Sequence, residues 1–121
     1  MDFKNQKPIY LQIADYICHL ILMDKLAEEE RLPSVRDYAS EMEVNVNTVA
    51  RTFEWLQNHD IIASRRGLGN FVSYGAKQKI ESISRDEFYN EQLPELYHKM
   101  QALDISIDDL VEHLQTLRNQ S

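Results

Sequence analysis

The sequence predicts a mostly α-helical protein with one small β-hairpin, and three features carry that prediction. Apolar residues recur at three- and four-residue spacing in separate segments, the pattern of helices with one buried face. Ser or Asn stands at four of the expected helix starts, with an acid three residues on or an apolar staple pair around it, as helix caps require. Two short β-branched or aromatic runs flank a turn that holds two of only three glycines, which reads as a hairpin. Two segments are expected, residues 1–75 and 76–121.

The first helix follows Pro8, which suits a first turn because its missing N–H costs nothing there. Ile9, Ile13, Ile17, Leu20 and Ile21 give its stripe and carry it to about Met23. DKLAEEERLP is a charged connector closed by Pro33. Ser34 caps the short second helix, with Asp37 at N3 and a stripe of Val35, Tyr38, Ala39 and Met42. Asn45 caps the third, with Val44 stapled to Val49. At about 100° per residue, Val46, Val49, Ala50, Phe53 and Leu56 are expected to face inward, leaving Asn47, Thr48, Arg51 and Trp55 on a polar front.

Ile61–Arg65 and Asn70–Tyr74 are the hairpin arms, and the glycines between them permit positive φ. SYGAKQKIES, residues 73–82, reads as a linker. Ser84, with Glu87 at N3, is expected to cap a fourth helix, which Pro94 should kink or split. Ser106, with Asp109 at N3, caps a fifth.

Charge sets limits on function. The net charge is −7, a mild argument against nucleic acid. Residues 31–75, however, carry five arginines against five acids, while residues 76–121 carry five basic and nine acidic residues. Screening over about 8 Å at physiological salt lets a local basic face act independently of an acidic tail. Cys18 is the one cysteine, no apolar run approaches a membrane span, and the N-terminus lacks a signal-peptide layout. A cytoplasmic setting is the default expectation. The four histidines are scattered, no zinc-type spacing or catalytic triad pattern occurs, and the acid pairs lie in first helical turns, where they offset helix dipoles. No metal, no cofactor and no enzymatic activity are expected.

The order helix, short helix, helix, hairpin is that of a winged helix-turn-helix. Its third helix would enter the major groove of duplex DNA. Asn47 suits a base edge or phosphate, Thr48 a phosphate or thymine methyl, and Arg51 a guanine edge or phosphate. Arg36 would meet the backbone. The helix starts at Ser34 and Asn45 offer N–H groups to anions. Gly67 removes a side chain from the wing tip, Gly69 lets the return strand begin, and Arg65 and Arg66 bring charge to a narrow groove.

The segments PIYLQIADYI and RLPSVRDYASEMEVNVNTVARTFEWLQNHDIIASRRGLGNFV resemble the DNA-binding domain of the GntR family of bacterial transcription regulators. The likeness spans residues 8 to 73, and its three separated motifs, LPSVR, NTVAR and RRGLGNFV, stand in the right order. The resemblance implies a winged helix-turn-helix that binds operators as a homodimer, with Arg36, Asn47, Thr48, Arg51 and Gly67 on DNA. The short tail is similar to the YtrA-like subfamily. The family usually has glycine in the connector before RLP and at the place of Glu43, so a differently shaped turn is expected here. Trp55 stands where relatives tend to carry a charge, and it is expected to pack on the wing, the tail or a second subunit.

The tail stripes, among them Tyr89, Leu93, Leu96, Tyr97, Met100, Leu103, Leu110 and Leu114, are too large to be satisfied by two helices alone. They are expected to form a dimer across a two-fold axis, and any small-molecule effector would bind there or at the subunit junction. The reading is a sequence-specific repressor on a two-fold symmetric operator. The alternative is a winged-helix protein–protein interaction module without DNA binding.

Overall fold

A computed structural model describes residues 7–121. The chain forms two compact units, Met1–Ser82 and Ile83–Ser121, dividing later than the residue-75 boundary expected from sequence. The first holds α1 (Ile9–Leu22), α2 (Val35–Met42), α3 (Val46–Asn58), β1 (Ile62–Arg65), β2 (Gly69–Val72) and the start of α4 (Ala76–Glu87). The second holds the end of α4, a π-helical turn at Phe88–Gln92, α5 (Leu93–Ala102) and α6 (Ile107–Gln120).

In the first unit α3 packs on α1 and α2. α1 contributes Ile13, Ala14, Ile17 and Ile21 to the core, and α3 contributes Val49, Phe53 and Leu56. The Phe53 ring meets Tyr38 of α2 edge-on, with centroids 5.9 Å apart, the arrangement that aromatic quadrupoles favour. The predicted inner face of α3 needs one correction. Val46 is 45% exposed, Ala50 is also exposed, and Thr52 is wholly buried instead. Thr52 can take a core position because its hydroxyl donates to the Tyr10 carbonyl of α1 at 2.7 Å, and it lies 3.0 Å from the Thr48 carbonyl. A buried hydroxyl with partners costs little, and one without them costs much.

Three of the four expected helix starts are capped as their sequences predict. Ser34 Oγ accepts the Asp37 N–H at 3.1 Å, Asn45 Oδ1 accepts the Asn47 N–H at 2.7 Å, and Ser106 Oγ accepts the Asp109 N–H at 3.0 Å. The helix ends share a feature that composition hides. α1, α2, α3 and α5 are each followed by an acid in the left-handed region: Asp24, Glu43, Asp60 and Asp104. In each case the next residue's N–H returns five residues, as in Val44 to Ala39 and Ile61 to Leu56. This is the Schellman ending, which normally uses glycine.

β1 and β2 pair antiparallel from Ile62↔Val72 to Arg65↔Gly69. The connector before α2 adds a third edge. Arg31 bridges to Phe71, the Leu32 N–H donates to Asn70 O, and the Val72 N–H donates to Glu30 O.

Ser84 does not cap a helix. α4 begins at Ala76, and Ser84 lies in its interior. The segment expected as a linker therefore becomes helix after Gly75. Ala76 and Ile80 are buried. Glu28 accepts the Gly75 N–H at 2.5 Å, and Lys77 pairs with Asp24 at 3.1 Å. These contacts supply the start signal that sequence lacked.

In the second unit Pro94 breaks the helix, as predicted. The Leu93 N–H reaches back to Phe88 O, a five-residue step. The wider turn makes room for the proline ring and its missing donor. Met100 is buried, whereas Tyr89, Leu93, Leu96, Tyr97, Leu103 and Leu114 are exposed and Leu110 is half-buried.

Candidate nucleic-acid interface

The turn between α2 and α3 is set by Glu43, at φ 55° and ψ 44°. Glutamate here takes the left-handed backbone that glycine favours at a helix end. Val44 half-buries behind it, and Asn45 opens α3 at once. Ser34 and Asn45 spend their side-chain oxygens on the caps. What they leave for a ligand is the Ser34 hydroxyl proton, the Asn45 NH2 group and the remaining first-turn N–H groups.

Asn47 and Arg51 stand exposed on α3, and Thr48 is half-buried. Val46 and Ala50, misassigned to the core from sequence, add apolar surface among the exposed residues of this helix. Apolar groups of that size touch thymine methyls in a major groove. The Arg51 guanidinium lies 4.2 Å from the Tyr10 ring centroid. This cation–π contact restrains a long side chain before any ligand arrives. Arg36 is exposed on α2.

The wing is held to α3 by Gln57 Nε2, which donates to Asn70 Oδ1 at 2.8 Å. Its tip is closed by the Leu68 N–H on Arg65 O at 2.9 Å. Gly67, at φ 75°, sits at the third position of that turn, where positive φ favours glycine. Gly69, at φ 97°, begins β2. A Cβ on Gly67 would meet no protein atom within 4 Å, so the space beside the tip is open. Arg66 is exposed, and Arg65 places its guanidinium carbon 4.2 Å from the Phe71 ring centroid.

The electrostatics follow from what is unpaired. Ion pairs join Lys7 to Asp15 and Lys77 to Asp24. Among the described residues no carboxylate pairs with Arg31, Arg36, Arg51, Arg65 or Arg66. In a chain with an excess of acid, these five guanidinium groups of one unit form no ion pair with a carboxylate among the described residues.

Other groups fall outside this surface. Trp55 is half-buried and stacks on His59 of its own helix end, centroids 4.0 Å apart. Burial pushes the Cys18 thiol up to about 12, with Asp15 adding to the effect. Burial likewise raises Tyr38. Among the described residues no cluster of His, Cys, Asp and Glu is grouped to hold a metal ion, and no helix is long and apolar enough to cross a membrane.

Sequence reasoning missed the supporting residues Tyr10, Arg31 and Thr52. Each acts through a partner distant in sequence, so spacing alone gave no signal.

Comparison with known proteins agrees with this architecture. Residues 9–72 match the bacterial regulatory proteins of the gntR family. The HTH-type transcriptional regulator YhcF of Bacillus subtilis is 34% identical over 115 residues, covering 95% of this chain and 93% of YhcF. The HTH-type transcriptional repressor YtrA of the same organism is 28% identical, covering 97% and 89%. A crystal structure of a GntR-family regulator from Bacteroides thetaiotaomicron is 40% identical with a TM-score of 0.78, covering 94% of this chain and all of that one. With its winged helix-turn-helix and short helical tail, the chain belongs to the GntR family of DNA-binding transcription regulators, in the YtrA-like group.

Proposed function

We propose that the protein is a homodimeric repressor that binds a two-fold symmetric operator, with α3 in the major groove and the wing tip in the adjacent minor groove. The observation that carries this reading is the set of five arginines that form no carboxylate ion pair among the described residues, in the unit that also holds the glycine wing and the donor-bearing α3. Asn47 and Arg51 read bases or phosphates, Thr48 supports them, and Val46 and Ala50 offer apolar contact to thymine. Ser34, Arg36 and Asn45 hold the backbone, and Arg65, Arg66, Gly67 and Gly69 form the wing contact.

Dimerisation is supported by the apolar side chains that the second unit leaves exposed. Leu103 is 63% and Leu114 53% accessible. Exposed apolar surface of this extent marks an interaction face, and a two-fold operator needs a two-fold protein. The repressor assignment is supported by the naming of YtrA as a repressor.

The test is the double variant Asn47→Ala with Arg51→Ala. Operator retention in a gel shift should be abolished, while circular dichroism and oligomeric state stay those of the parent. Undiminished retention would remove α3 from the interface. A chain that captures a protein partner and binds no DNA would establish the interaction-module reading instead.

A further inference from the structure

The wing has two faces. Along paired strands, side chains alternate and opposite residues share a face. Ile62 and Val72 are buried on one, and Asn70 on the same side meets Gln57 of α3. The other face carries Ala63, Arg65, Gly69 and Phe71 by register. Arg31 joins that outer face through its bridge to Phe71.

Three observations single out Arg31. Its guanidinium runs beside Gly69: a Cβ there would stand 3.5 Å from Nε and 3.7 Å from an Nη. Arg65 lies over Phe71 on the same face. The three glutamates just before Arg31 do not neutralise it. Glu28 accepts the Gly75 N–H, Glu30 accepts the Ala27 N–H, and among the described residues none of the three forms an ion pair with Arg31. So an arginine that follows EEE in sequence keeps its charge for something else.

We propose that Arg31 is a phosphate-binding residue of the wing, gripping the sugar-phosphate backbone of duplex DNA together with Arg65. This deepens the DNA-binding reading and rests on it. Gly69 leaves the step between the two arginines without a side chain, and Phe71 braces Arg65 there. Because the pairing of residue 31 uses the main chain, its side chain can be changed without undoing the wing.

Phosphate contacts leave a signature that structural roles do not. Each neutralised phosphate adds about 0.9 to the slope of log affinity against log salt. Relative to 1 M salt, one contact is therefore worth about eightfold in affinity at 0.1 M. The probe is an arbitrary 30-base-pair duplex, titrated by fluorescence anisotropy with the full chain from 25 to 400 mM KCl. Arg31→Ala should lower the slope by about 0.9 per bound protomer and weaken binding about eightfold per protomer at 0.1 M. Arg31→Lys should keep the slope, and both melting temperatures should match the parent. An unchanged slope in Arg31→Ala, with or without weaker binding, overturns the assignment while leaving DNA binding intact. If the parent chain binds no duplex even at 25 mM KCl, the underlying reading fails and the assignment fails with it.

Discussion

Replacing Glu43 with glycine should stabilise the protein by about 1 kcal/mol. Glu43 holds φ 55° at the end of α2, where an L-residue with a side chain pays roughly 1–2 kcal/mol. Glycine removes that strain but returns roughly 0.4–1 kcal/mol through the extra freedom of the unfolded chain. It also removes an acid from a helix C-terminus, a gain of roughly 0.3–1 kcal/mol. For a unit of this size, 1 kcal/mol is about 4–8 °C in Tm. Glu43→Ala separates the causes, since it removes the charge and keeps the strain, and it should recover less than half of the gain. Thermal and urea unfolding of both variants gives the comparison. Equal stabilisation by alanine and glycine would show that charge alone matters and would refute the strain argument. A destabilised glycine variant would refute it more directly.

Thr52→Val should lower stability by about 1–3 kcal/mol, because it strips a buried hydroxyl from its bond to Tyr10; Thr52→Ser should recover most of the loss in urea titrations. Leu103→Glu with Leu114→Glu should convert a dimer to a monomer by light scattering with little change in helicity, since both side chains are exposed within one chain; a persisting dimer would remove the tail from that role. Cys18 should resist alkylation by iodoacetamide at pH 8 until the protein unfolds, because burial holds its thiol protonated. Its folded value is raised to about 12 from an ordinary 9.0, so its contribution to stability is present below pH 9 and is lost as pH rises from 9 towards 12.

Local chemistry was legible in the sequence. The caps at Ser34, Asn45 and Ser106 are satisfied by bonds within three residues. The hairpin announced itself by glycines in a chain that has few, and Pro94 by its missing donor. What could not be read depended on distant partners. Periodicity placed Val46 and Ala50 inside because nothing local says that Thr52 finds the Tyr10 carbonyl. The start of α4 rests on Glu28 and Asp24, which lie far from it in sequence. The left-handed acids were hidden because composition suggests that a glycine-poor chain lacks such turns, whereas this one builds them from Asp and Glu.

The central claim is that α3 and the wing of a dimer read a symmetric DNA sequence together. Selection of binding sites from random duplexes with the full chain tests it most directly. The enriched sequences should contain an inverted repeat with half-sites set about one helical turn apart or a multiple of it, and enrichment should vanish with the Asn47→Ala, Arg51→Ala double variant. Recovery of no enriched motif, or of one that the double variant selects equally well, would contradict the account.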